Sequence, residues 1–316
     1  MSKKLYIIGN GFDLWHGLPT SYRCFNCYMH REHQKDHERI GHIFNRMNPN
    51  MLWSDYENKL WQVDIVELVK KNIETWANSS SVYDIENDFD TLYDEIKSYF
   101  HKWILQIDYS LENKRRLEID DQSLFLNFNY TNTLERFYEI RREQICYIHG
   151  DTGNNSLYRP VIGHGKSSIE CIVCSMKERI CQCTTNHNIF PKWASNPDTF
   201  TQEIIKIVSD FLKDLKKNTE YYIDENEKWF EQLDDVNDIY VLGHSLAMVD
   251  SPYFLEILKR SLGATWHISY QNECEKKVRE ENLIKLLNVQ EDVLNVVFFT
   301  FDEMMMKNES DILPVS

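Results

Sequence analysis

Apolar residues fall along this chain in two rhythms. Short continuous runs at residues 5–8, 124–128, 145–148, 239–242, 264–270 and 296–301 are richer in β-branched and aromatic residues than their flanks, the pattern of strands buried on both faces. Between them, residues 132–142, 199–217, 252–261 and 275–287 space their apolar positions as amphipathic helices do. Strands alternating with helices predict an α/β fold: a mostly parallel sheet with helices on both faces. One interval breaks the rhythm. Residues 8 and 124 stand far apart where a strand–helix–strand unit uses roughly thirty residues. Residues 30–120 place Trp, Tyr and Leu at helical spacing among charges, with no glycine between Gly41 and Gly150, and predict a large helical insertion or cap after the first strand. Residues 164–197 hold four cysteines with little periodicity and predict a cysteine-rich loop insertion. The core domain is then residues 1–29 together with 121–316.

The charge changes the range of partners. With 35 basic against 50 acidic residues the formal net charge is −15, which opposes a sequence-independent grip on nucleic-acid phosphates. Apolar runs such as 295–301 are far shorter than the roughly 20 residues that span a bilayer. The apolar run after Lys3 and Lys4 stops at Gly9, too soon for a signal-peptide core. A cytoplasmic chain with reduced thiols is expected. Oligomeric state and any regulatory partner protein leave no signature in the sequence.

Four points could carry chemistry, each where a strand ends. Gly9-Asn10-Gly11-Phe12-Asp13, followed by Gly17-Leu18-Pro19, follows the first strand, where glycines permit a tight turn and backbone N–H groups can face a phosphate. A plain glycine turn accounts for the same residues. At Asn127-Phe128-Asn129-Tyr130-Thr131-Asn132 a strand runs into a helix; Thr131 or Asn132 suits a helix cap, whereas Asn129 faces the cleft that forms at the carboxyl ends of parallel strands. His149, ahead of Gly150, puts an imidazole at another strand end, placed for general-base work. Gly243-His244-Ser245-Leu246-Ala247, with Asp250 beyond it, comes close to a serine-hydrolase nucleophile elbow, but Ala247 stands where the last glycine belongs and Asp250 lies too close to Ser245 to orient a distant histidine. His30, His33, His37 and His42 read as a solvated helical face, and Cys24 with Cys27 as helix packing.

Taken in this order, the four motifs resemble the AbiH family of phage abortive infection proteins and, more distantly, the sirtuin-like NAD hydrolases. The resemblance implies a Rossmann-like, sirtuin-like fold in which Gly9, Asn10, Gly11, Phe12, Asp13, Gly17 and Pro19 contact the pyrophosphate of an NAD-type nucleotide. It places Asn129 at the nicotinamide ribose and its water, His149 as the catalytic histidine, Thr131 where sirtuin-like enzymes carry an aspartate, and Gly243, His244, Ser245 and Asp250 on the adenosine side. Asp13 replaces a serine of that pattern. The implied activity is hydrolysis of NAD to ADP-ribose and nicotinamide. A non-catalytic sensor of ADP-ribose-type nucleotides, an effector nuclease on the same scaffold, and a hydrolase using Ser245 are the alternatives.

Cys171, Cys174, Cys181 and Cys183, with His187 nearby, offer soft ligands at the paired short spacings that structural zinc sites favour; free thiols in a surface loop are the other reading.

Overall fold

The computed structural model describes residues 3–43, 69, 72–74, 76–78, 81–111, 115–150, 199–214, 217–288 and 294–305. The cysteine-rich stretch 164–197, with Cys171, Cys174, Cys181 and Cys183, lies outside the described residues. The chain divides into two compact units, one of residues 1–21, 101–160 and 218–316, the other of residues 22–100 and 161–217.

The first unit is built on six parallel strands: β1 (Lys3–Ile8), β2 (Leu124–Asn127), β3 (Ile145–Tyr147), β4 (Val236–Leu242), β5 (Thr265–Ser269) and β6 (Asn295–Phe299). Their order is β3-β2-β1-β4-β5-β6, with β1 paired in register to β2 on one side and to β4 on the other. This is the strand order of a doubly wound, Rossmann-like sheet. Successive residues of β1 serve opposite faces. Leu5 and Ile7 join Leu126, Val241, Trp266 and Ile268 in one core, while Tyr6 and Ile8 join Phe125, Tyr147 and Leu242 in another. Burial on both faces is what the unbroken apolar runs required.

Helices cover each face. In chain order the helices are α1 (Asn10–Trp15) of this unit, α2 (Tyr22–Glu32), α3 (Gln34–Ile43) and α4 (Val82–Leu105), which lie wholly or mostly in the second unit, and α5 (Thr133–Tyr138) of the first. Next come α6 (Thr199–Asp214) of the second unit, then α7 (Thr219–Glu225), α8 (Glu227–Phe230), α9 (Ser251–Arg260) and α10 (Glu273–Leu287) of the first. Tyr253, Phe254 and Ile257 of α9 and Leu283 and Leu286 of α10 close the first core; Phe12 of α1 and Leu134 of α5 close the second. Two ends differ from the sequence expectation for local reasons. Helix α5 stops at Tyr138 because Glu139 takes a left-handed backbone (φ 54°), and β2 stops at Asn127, whose Oδ1 accepts the Asn129 N–H at 2.9 Å and bends the chain.

In the second unit, Phe25 of α2 packs edge-on against Phe100 of α4, and Phe89 of α4 against Phe211 of α6. The histidine run is only in part the solvated face expected: His30 is exposed, and the side chain of His42 lies outside the described residues. His33 and His37 are half-buried, His33 paired with the Tyr28 hydroxyl and the His37 Nε2–H donating to Asn26 Oδ1 at 2.6 Å. Cys27 is exposed, so packing does not account for it, while Cys24 is half-buried. Among the described residues no helix is long and apolar enough to cross a membrane, and no group of His, Cys, Asp or Glu is arranged to hold a metal ion.

Candidate functional site

The turn after β1 and the turn after β4 lie backbone against backbone. The Gly9 N–H donates to Leu242 O at 2.9 Å and the Gly11 N–H to Gly243 O at 2.8 Å. A Cβ on Gly9 would stand 2.4 Å from His244 Cα, and one on Gly243, whose φ is +67°, 2.2 Å from Phe12 N. Close approach therefore demands glycine here before any ligand is considered. The N–H groups of Gly9 and Gly11 are spent on β4 carbonyls and that of Phe12 on Gly9 O, so none of the three points at a phosphate as the chain stands. Asn10 is exposed at the turn, and Gly17 (φ 85°) and Pro19 form an exposed turn behind α1.

Beneath this turn sits a buried polar cluster. Asp13 is 1% exposed, and its carboxylate accepts from the Thr131 hydroxyl at 2.6 Å and the Thr133 hydroxyl at 2.7 Å. Burial pushes the Asp13 pKa up from 3.8 to about 6, against hydrogen bonds from Thr131, Thr133 and Asn129 that hold it down. Asp13 and Thr131, the two departures from the sirtuin-like pattern, are thus partners of each other. The Asn129 amide donates to Gly9 O at 3.0 Å as well as to Asp13, tying the end of β2 to the turn after β1. With its amide N–H held on Gly9 O, its Oδ1 is the atom that can accept from a water or a sugar hydroxyl.

The third feature joins His149 to the β4 turn. Asp250, in a short 3-10 turn before α9, has Oδ2 3.2 Å from His244 Nε2 and Oδ1 3.8 Å from His149 Nε2. All three side chains are buried, at 4, 5 and 7% exposure for His149, His244 and Asp250. His244 Nδ1 accepts the Leu246 N–H at 3.0 Å, so the ring carries its proton on Nε2, toward Asp250. Phe128 sets both rings, its centroid 5.2 Å from that of His149 and 4.5 Å from that of His244; Tyr130 and Tyr253 flank His149. His244 and Asp250, taken from the sequence as ligand contacts, are buried and paired with each other, and Asp250 is the one of the two that approaches His149. Ser245 is exposed, and it is Leu246 that takes the left-handed backbone (φ 56°).

On the other side of the β1–β4 junction a cavity of about 190 Å³ opens at the ends of β4, β5 and β6, lined by Gly11, Trp15, Gly243, Ser269, Arg279 and Asp302 among others. Ser269 Oγ accepts the Gly243 N–H at 2.9 Å, and Arg279 donates from Nε and Nη2 to Glu275. Apart from the turn glycines, these lining residues carried no sequence signal, because they sit on the α10 and β6 side, where no glycine turn or histidine marks the strand ends. Thr133 was missed as well, although hydroxyls two apart directly after a strand end were visible.

A parallel sheet in this order, with buried titratable groups gathered where its strands end, defines a doubly wound α/β protein of Rossmann-like class. Within it, residues 5–270 match the family model described as "Bacteriophage abortive infection AbiH", and the chain belongs to the AbiH family. That membership supports an antiphage, abortive-infection role. No curated protein and no solved structure matches the chain.

Proposed function

We propose that the crevice at the carboxyl ends of β1, β2, β3 and β4 binds an NAD-type nucleotide and hydrolyses it to ADP-ribose and nicotinamide. The observation that supports this best is the convergence of Asn129, His149 and the β1 and β4 turns at the point where the strand order reverses, the place at which doubly wound sheets take ligands. In this reading the nucleoside half of the ligand enters the cavity between Trp15 and Asp302, and the nicotinamide ribose reaches His149.

The chemistry needs little acid. When the bond between the sugar carbon and the nicotinamide nitrogen breaks, its electron pair neutralises the pyridinium charge, and an oxocarbenium-like centre is left on the sugar. Water then attacks that carbon. Asn129 Oδ1 holds the water and His149 removes its proton, a contribution worth roughly 10²- to 10⁴-fold for a well-placed base. The Phe128, Tyr130 and Tyr253 rings limit competing solvent around the imidazole.

Incubating the full chain with NAD and quantifying nicotinamide and ADP-ribose tests the reading. Stoichiometric release by wild type, reduced at least about a hundredfold in His149→Ala, is expected. A non-catalytic sensor is favoured by one observation, the engagement of the Gly9, Gly11 and Phe12 N–H groups within the protein. It predicts that NAD or ADP-ribose binds while no nicotinamide appears, in purified protein and in phage-infected cells alike.

A further inference from the structure

The cavity at the ends of β4, β5 and β6 has in its wall a charged side chain that the fold satisfies only in part. Arg279 of α10 is 7% exposed, and its Nη1 meets no hydrogen-bond acceptor among the described residues. Its Nε and Nη2 both donate to Glu275 Oε1, while Oε2 of the same carboxylate accepts the Gln271 N–H at 2.7 Å. A planar guanidinium tethered by two of its three nitrogens holds the third in a fixed place. A buried donor of this kind is costly to leave unpaired, which marks it for an acceptor brought by a ligand. Nη1 is covered as the chain stands; Gln271, exposed and lining the same cavity, is the side chain that can give way.

The charges argue against a phosphate here. Glu275 already neutralises the guanidinium and occupies the fork that a phosphate would take in two parallel bonds. The other charged group lining the cavity is Asp302, which is exposed, repels an anion and accepts hydrogen bonds. Trp15, Tyr270 and Phe301 add aromatic surface to the same wall. One donor, one acceptor and ring faces suit a purine whose edge offers a ring nitrogen beside an amino group. We propose that Arg279 and Asp302 are specificity-determining residues that read the Watson–Crick edge of adenine: Arg279 Nη1 donates to N1, and the amino group donates to the Asp302 carboxylate. Hypoxanthine, with an N1–H and a 6-oxo group, sets a donor against the guanidinium and an acceptor against the carboxylate, and is refused. As an account of the adenosine half of NAD this rests on the reading above; as base recognition it stands by itself.

Calorimetric titration of the full chain with AMP and with IMP tests it, in wild type, Arg279→Met and Asp302→Asn. Wild type is expected to bind AMP at least about tenfold more tightly than IMP. Both variants erase that preference, Asp302→Asn because its amide can donate to the 6-oxo group. Lost packing alone weakens AMP and IMP together and leaves their ratio, so the ratio reports on recognition. Asp302→Asn, at an exposed position, carries the test where Arg279→Met fails to fold. Equal affinities in wild type, no binding of AMP, or a preference that persists in a folded variant overturns the proposal. Nicotinamide release from NAD, measured alongside, separates the two readings. Release with AMP and IMP bound alike overturns base recognition and leaves hydrolysis, whereas an AMP preference erased by the variants, without release, leaves base recognition and removes hydrolysis.

Discussion

Asp13 shows how far one residue's surroundings can be read as a free-energy difference. Its carboxyl lies in the buried cluster with a pKa near 6, where an unfolded chain would hold it near 3.8. Because the folded state keeps the proton to higher pH, the associated stability is fully present below about pH 3.8 and is lost as the pH rises through 6. Those two values correspond to about 3 kcal/mol. Asp13→Asn removes the titration, so the urea midpoint of the variant relative to wild type should climb between pH 4 and pH 7.5; a difference independent of pH would show that Asp13 is ionised in the fold throughout. Thr133→Val, which deletes the hydroxyl on Asp13 Oδ1, should cost about 2 kcal/mol at pH 7.5 and less at pH 4, where the carboxyl is neutral. None of this was legible along the chain. Asp13 and Thr131 stand out there only as mismatches to a pattern, and their pairing exists because β1 and β2 are neighbours in the sheet.

At the scale of elements the sequence was informative about strands and poor about what their ends do. All six apolar runs are strands: in the central strands burial on both faces leaves few polar positions to disguise them, while β6, at the sheet edge with no buried residue, was marked by its β-branched and aromatic run alone. Their order could not be read, since parallel pairing of β1 with β4 depends on contacts between segments more than two hundred residues apart and on glycines that read equally well as a phosphate turn. Gly243 and Gly263 separate those explanations. Both have positive φ, yet a Cβ on Gly263 meets nothing within 4 Å, whereas one on Gly243 collides with Phe12 N and Gly11. Gly263→Ala should therefore cost about 1 kcal/mol in chemical denaturation and Gly243→Ala at least about 3 kcal/mol. Equal costs would mean the β1 and β4 turns can part without penalty. The cysteine stretch calls for a compositional test instead: as a proposal, Cys171, Cys174, Cys181 and Cys183 bind one zinc per chain. Metal analysis of protein purified without chelator should find that zinc, and Cys171→Ser with Cys174→Ser should abolish it.

For the molecule as a whole, the proposed ligand and the acidic balance pull in opposite directions, and this decides how binding should respond to salt. A chain of net charge −15 repels an anionic dinucleotide at long range, so any affinity must come from contacts inside the crevice. Raising ionic strength from about 50 to 200 mM screens that repulsion, because the Debye length falls toward 8 Å, while buried contacts are little affected. NAD or ADP-ribose binding should then stay constant or tighten modestly with salt, the reverse of a nucleic-acid-binding effector, whose affinity collapses over the same range. Binding is separable from turnover, since a ligand at a hundred times its Kd stabilises the fold by about 2.7 kcal/mol whether or not it is cleaved. A thermal-shift series with NAD, ADP-ribose and a short RNA at both salt concentrations measures both effects. In hydrogen exchange, added protection is expected at residues 9–16, 127–133, 149–150 and 243–250, the strand ends that the fold brings together. A salt-sensitive shift with RNA alone would remove the dinucleotide from the crevice and return the acidic chain to the nuclease reading.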